Sequence, residues 1–281
     1  MSGQSRAPEP ILCAHLLLKV DEQLIDLLRA LTPGEWDLQT VAPAWKVRDV
    51  AAHLLDTVLR KLSLVRDSWQ VEAVAISSPQ DLGALVNRLN REGVTVYRRL
   101  SPPVLIDLMQ LACEQSARFH ESLDPFAPSA FAVSWGGEEE SLNWFDTARE
   151  LTERWHHQQQ IRLAANRPGI MTRTLYGPVL DCFMRGLPFL YREVEAPPGT
   201  VILVEISGEC GGQWLLSREG AGWVLGTGTG EEVASRVTIP QSLAWRIFTK
   251  GIDRDSARAQ VKIEGDRELG ERVLHLTAIV A

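Results

Sequence analysis

The feature that most constrains this chain is a change of hydrophobic period at Asn166-Arg167-Pro168-Gly169. Before it, apolar residues recur at three- and four-residue spacing, the mark of helices that bury one face. Leu16, Val20, Leu24, Leu27, Leu28 and Leu31 form one stripe, closed by Thr32-Pro33-Gly34. Val50, Leu54, Val58, Leu62 and Val65 form another, within a helix expected over 47–69. A third helix is expected over 81–99 and a fourth over 105–123, the latter after the start signal Ser101-Pro102-Pro103. A loop rich in Pro, Ser and Gly covers 124–140, and a last helix covers 144–165. Long helices joined by loops describe a four-helix bundle.

Beyond Pro168 one helical stretch (173–191) gives way to short β-type runs at 200–206, 213–217, 223–226 and 235–239, separated by glycine turns. Helices at 241–249 and 267–280 close the chain. Strands followed by helices imply an α+β unit rather than a βαβ array. At 281 residues the chain is long enough for about two domains. The reading is therefore a helical bundle over 1–168 followed by a smaller α+β domain over 169–281.

Composition narrows the partners. Lys and Arg total 29 against 36 Asp and Glu, a net charge of −7, which disfavours phosphate backbones and anionic lipid surfaces. No nucleic-acid or membrane partner is expected, and no obligate protein partner is evident. Cys13, Cys113, Cys182 and Cys210 are too scattered for a C-x-x-C metal or redox pair, so they read as reduced thiols. The polar N-terminus lacks a signal-peptide pattern, and no apolar run is long enough to span a bilayer. Together these predict a cytoplasmic protein. The run Gly226-Thr-Gly-Thr-Gly230 superficially suggests a phosphate loop, but no apolar helix follows it, and a β-turn accounts for it.

Only six histidines occur, so each can be weighed singly. His15, His120 and His275 read as packed or surface residues. His53 lies mid-helix within AWKVRDVAAHLLD. In ELTERWHHQQQIR, Glu153 and His157 are four apart, which places them about 40° apart on one helix face, able to converge on one ion. Bundles grip metals in this way, with a carboxylate and an imidazole from one helix and another imidazole from a facing helix. The His156-His157 doublet leaves a rival, because Glu153 and His156 are also helical neighbours; the four-residue spacing favours His157.

LTPGEWDLQTVAPAWKVRDVAAHLLD resembles the opening of the mycothiol-dependent maleylpyruvate isomerase family, relatives of the DinB-like metal-binding bundles. Leu31, the Thr32-Pro33-x-x-Trp36 turn, Ala44-Trp45, Val47-Arg48-Asp49 and His53 fit its pattern in order. The family's later E-x-x-x-H is matched by Glu153 and His157. Residues 170–281, with a strand-rich stretch followed by IEGDRELGERVLHL, look like the sterol-carrier-like domain that often follows such bundles.

The resemblance implies that His53, Glu153 and His157 are ligands of a divalent metal, usually zinc. Two imidazoles and one carboxylate leave a tetrahedral position open, the catalytic rather than the structural pattern. Such nitrogen and oxygen ligation also admits nickel, iron or manganese. Gln160 stands where family members often carry Asp, which weakens an expected supporting role there. Asp49 and Asp56 flank His53 as candidate supporting groups or plain surface acids. Trp45 and Trp155 are expected to wall the site. The family uses a basic residue of its second domain, for which Arg246, Lys250, Arg254 and Arg258 are candidates.

The leading functional reading is a metal-dependent enzyme that uses a low-molecular-weight thiol (mycothiol-like) for isomerisation or S-transfer. Its substrate would be a small electrophile bearing a carboxylate. The alternatives are a metal-dependent hydrolase, or a non-enzymatic protein that binds metal or an apolar ligand.

Overall fold

The computed structural model describes residues 6–70, 78–220, 222–228 and 232–279. Five long helices come first: α1 (Ala14–Ala30), α2 (Val47–Lys61), α3 (Pro79–Tyr97), α4 (Pro102–Ser122) and α5 (Asn143–Ala164). Helices α1, α2, α4 and α5 pack on one another as a bundle, and α3 lies against α2. Their starts follow local chemistry. The Lys46 backbone N–H donates to Asp49 Oδ2 (3.0 Å) at the head of α2. Ser78 Oγ accepts from the Asp81 amide at the head of α3, and prolines occupy the first turns of α3 and α4. Helix α2 is shorter than its apolar stripe, because a π-helical turn replaces the α pattern over Leu62–Arg66.

Helix α5 stops where the sequence changes period. Asn166 adopts φ +53°, and the Arg167 amide reaches back to the Arg162 carbonyl (2.8 Å), a left-handed cap that Pro168 prevents from continuing. The helix expected over 173–191 is two: α6 (Arg173–Met184) and α7 (Leu187–Tyr191). In an unbroken helix Pro188 would clash with the Met184 carbonyl, whereas in the first turn of α7 it costs no hydrogen bond. Gly186 at the break lies so close to Leu276 and Trp135 that a Cβ there would stand 2.8 Å from Leu276 Cδ1.

The sheet comprises β1 (Val201–Ser207), β2 (Gly212–Glu219), β3 (Gly222–Thr227), β4 (Ser235–Pro240) and β5 (Lys262–Gly265), in the order β3-β2-β1-β4-β5. All neighbours pair antiparallel except β1 and β4, which are parallel, with Val204 opposite Val237. Strand β5 has no counterpart in the sequence reading. It is a short edge strand, mostly exposed, so Lys262 to Gly265 carry no apolar alternation. Helices α8 (Gln241–Phe248), α9 (Arg254–Arg258) and α10 (Arg267–Glu271) complete the α+β part. The helix expected over 267–280 ends after α10. A 3-10 turn follows over Arg272–His275, with Val273 and Leu274 buried, then an extended segment in which Leu276 and Ala278 are buried. Ala278 donates there to the Phe248 carbonyl (2.9 Å), and Val280 lies outside the described residues.

Two apolar cores result. One fills the bundle, with Leu24, Leu28, Val50, Leu54, Met109 and Ile161. The other gathers Leu17 from α1 and Leu151 and Trp155 from α5 with α6, α8 and the sheet face of Ile202, Val204 and Ile206. Both ends of α1 and α5 are thus covered, but by different partners. All four cysteines are free and buried. Among the described residues no helix is long and apolar enough to cross a membrane.

Candidate metal centre

His53 on α2 faces His157 on α5, with ring centroids 4.6 Å apart and edge to face. Glu153, one turn earlier on α5, lies with Oε2 3.5 Å from His157 Nε2. One potential ligand atom from each of the three residues lies within 4.8 Å of the other two, and no other such trio occurs among the described residues. His53 and His157 are buried, and the Glu153 side chain is 27% exposed.

The protonation states suit ligation. Burial, and next the charge of His157, press the His53 pKa well below its ordinary value, so its imidazole is neutral. Its Nδ1 is buried without a hydrogen-bond partner among the described residues. Burial would raise the Glu153 carboxyl, but the His157 contact, and after it the neighbouring His156 and Arg149 side chains, hold it down at about 2. A neutral imidazole and an ionised carboxylate are the forms that bind metal.

The neighbours sort themselves differently from the sequence expectation. Gln160 is buried, and His157 Nδ1–H donates to its Oε1 (2.9 Å), leaving Nε2 toward Glu153. The amide oxygen therefore supplies an acceptor at the position where a carboxylate was expected. His156 Nδ1–H donates to the Thr152 carbonyl one turn back (2.8 Å), and burial pushes its pKa down to about 3. Trp45 covers the trio, 4.6 Å from the His53 ring and 5.8 Å from that of His157. Its turn is fixed by Thr40 Oγ1 and Gln39 Nε2, both donating to the Trp45 carbonyl (2.7 and 2.9 Å). Trp155 does not join it. Two residues from Glu153 on a helix point to opposite sides, and Trp155 stacks on Tyr176 (4.1 Å) in the other core.

Asp49 caps α2 and pairs with Arg98 (3.3 Å), while Asp56 pairs with Arg60 (2.9 Å); both serve helix architecture. Of the candidate bases in the α+β part, Arg258 is bound to Glu271. Arg246 donates to the Gly251 carbonyl, and Gly251 lies against Val41, in the turn that carries Trp45. Lys250 and Arg254 line a small cavity with Ile247, Ile252, Ala257 and Leu274. In the Gly226–Gly230 run, Gly226 and Thr227 end β3, and residues 229 and 230 lie outside the described residues.

Sequence reasoning missed a buried set of charges on the same helix: Asp146, Arg149, Glu150 and Arg154, with Lys61 on α2 and Asp21 on α1. Charges normally mark a solvated face, so their letters alone do not single them out. The available signal was alternation of sign at three- and four-residue spacing on a helix with few apolar residues.

Residues 17–162 match the family described as the mycothiol maleylpyruvate isomerase N-terminal domain. The chain belongs to this family. Two solved structures share its fold. The crystal structure of a histidine-to-alanine mutant of the mycothiol-dependent maleylpyruvate isomerase has a TM-score of 0.54 at 10% identity, covering 91% of this chain and 93% of that one. A crystal structure of the mycothiol-dependent maleylpyruvate isomerase has a TM-score of 0.51 at 10% identity, covering 85% and 88%. None of the curated proteins is significantly similar in sequence. Family membership accounts for the Trp36 to His53 signature in structural terms. Trp36 and Val47 pack in the bundle core, Arg48 binds Asp37 (2.8 Å), and Asp49 caps the helix that carries His53.

Proposed function

We propose that this family member is a metal-dependent enzyme acting with a low-molecular-weight thiol of the mycothiol type. The observation that carries the reading is the convergence of His53, Glu153 and His157 to within 4.8 Å. These residues would hold a divalent metal, with zinc fitting two imidazoles and a carboxylate best. When bound, such a metal stabilises a sulfur ligand as its thiolate near neutral pH.

The chain's own groups do the rest. His53 offers a neutral nitrogen, and Gln160 fixes the ring and tautomer of His157. Trp45 excludes water from one side of the site. Arg246, Lys250 and Arg254 supply positive charge for the carboxylate of a small electrophile. Addition of the thiol followed by elimination after bond rotation gives isomerisation, and retention of the new bond gives S-transfer. The division into a metal-holding bundle (1–168) and an α+β part (169–281) that furnishes basic residues belongs to the same proposal.

The test is metal analysis of purified wild type beside His53→Ala and Glu153→Ala. Wild type is expected to carry about one equivalent and each variant much less. Equal metal in all three, or none in wild type, overturns the assignment. Mycothiol with a maleate-type electrophile then checks the chemistry, and ester turnover without any thiol would instead mark a hydrolase.

A further inference from the structure

Four charged side chains close a ring between α2 and α5, next to the ligand trio. Lys61 Nζ lies 2.6 Å from Asp146 Oδ2 and 3.2 Å from Glu150 Oε1. Arg149 Nη2 lies 2.6 Å from Asp146 Oδ1 and 2.9 Å from the same Glu150 oxygen. Each acid therefore touches both bases. No side chain of the four is more than 18% exposed, and the Phe131 ring covers the ammonium group at 5.5 Å. Packed apolar residues would serve stability at least as well as buried ion pairs, so the ring calls for a further reason.

That reason lies on α5. Asp146, Glu150, Glu153 and His157 follow one another at helical spacing along one face. Three carboxylates stacked there would repel one another in a medium that screens poorly. Lys61 and Arg149 cancel Asp146 and Glu150, two positive charges against two negative. Arg154 is likewise matched by Asp21. Glu153 alone has no Lys or Arg nitrogen within 4.0 Å among the described residues; its contact is His157. Among the described residues the helix face thus carries one carboxylate without a direct Lys or Arg contact, at the ligand position.

We propose that Lys61 is a positioning residue for Glu153, acting through the Asp146–Arg149–Glu150 ring. By keeping that ring neutral, Lys61 leaves Glu153 neither repelled by the acids before it nor captured by Arg149, and free to turn toward the two histidines. The inference rests on the reading of the trio as a metal site.

The test is the zinc affinity of the full-length chain, measured by competition with a chromophoric chelator. Asp146→Asn leaves the ring one charge positive and should weaken zinc binding about tenfold, the scale of outer-sphere changes at metal sites. Adding Lys61→Met to that variant restores neutrality and should restore affinity. A merely structural role predicts the reverse, because the double variant has lost more of its packing and pairing. An Asp146→Asn protein with wild-type affinity, or a double variant as weak as the single, overturns the inference. Should Asp146→Asn fail to fold, Lys61→Met alone decides. Its surplus negative charge should repel Glu153 from the ligand position and weaken zinc binding, with Lys61→Arg restoring it; an unchanged or tighter affinity overturns the inference. Wild type that takes no zinc would instead overturn the metal reading itself, and this inference with it.

Discussion

His157 donates its Nδ1 proton to the side-chain oxygen of Gln160, 2.9 Å away and about one turn further along α5. This bond selects the tautomer whose Nε2 is free and points it at Glu153. Gln160→Leu should therefore lower zinc affinity by about 10- to 100-fold with little change in fold, whereas Gln160→Glu should retain it. Chelator competition on the two variants checks this. Equal affinity for wild type and the Leu variant would show that the bond is incidental.

The metal-free protein should lose stability as pH falls below about 6.5. Burial depresses the folded-state pKa of His53, and those of His120 and His156 to about 4 and 3. A histidine depressed in the folded state adds stability above its unfolded value near 6.5, and this is lost as pH drops toward the folded value, at up to about 1.4 kcal/mol per pH unit for each group. Asp21 works in the opposite direction: burial first, eased by Arg154, sets its pKa at about 6, so it adds stability only at lower pH. Asp56 and Asp181, raised by desolvation, act as Asp21 does, and His275, lowered by desolvation, sides with the other histidines. The three deeply buried histidines outweigh the aspartates, so urea midpoints in EDTA should fall between pH 7 and pH 5. A midpoint that rises over that interval would contradict this assignment.

Trp155→Ala should destabilise the fold by about 3–5 kcal/mol, the usual cost of removing a fully buried large aromatic. The residue is buried, stacked on Tyr176, and bonded through its indole nitrogen to the Ile170 carbonyl (3.1 Å). Trp45→Ala, at a half-buried position, should leave the denaturation midpoint nearly in place while altering the spectrum of cobalt bound at the site. Equal losses of stability in the two variants would refute this division of roles.

Arg154 and Asp21 join α5 to α1 through a buried ion pair, and Ser116 on α4 accepts a second bond from the guanidinium (2.7 Å). Asp21→Asn should cost about 3–5 kcal/mol by leaving a charge buried and unpaired, whereas Arg258→Ala, at a half-exposed pair with Glu271, should cost under about 1 kcal/mol. Denaturant titration of each single variant measures the contrast. Similar small losses would mean that water reaches Arg154.

What this sequence determines by itself is local. Apolar spacing fixes the long helices, and their caps fix where three of them begin. The period change at Pro168 separates the helices from the strand-rich region, and four-residue spacing puts Glu153 and His157 on one face. These follow from interactions within one or two turns, which a linear pattern records. Tertiary structure decided the rest. It brought His53 to His157, 104 positions later in the chain, and gave Trp155 the Tyr176 ring to stack on in the opposite core. It also buried Lys61 with Asp146, Arg149 and Glu150, although the same letters describe a solvated face. The physical reason is that a charge can lie inside only when an opposite charge meets it there, and the partner, Lys61, comes from another helix 85 residues away from Asp146.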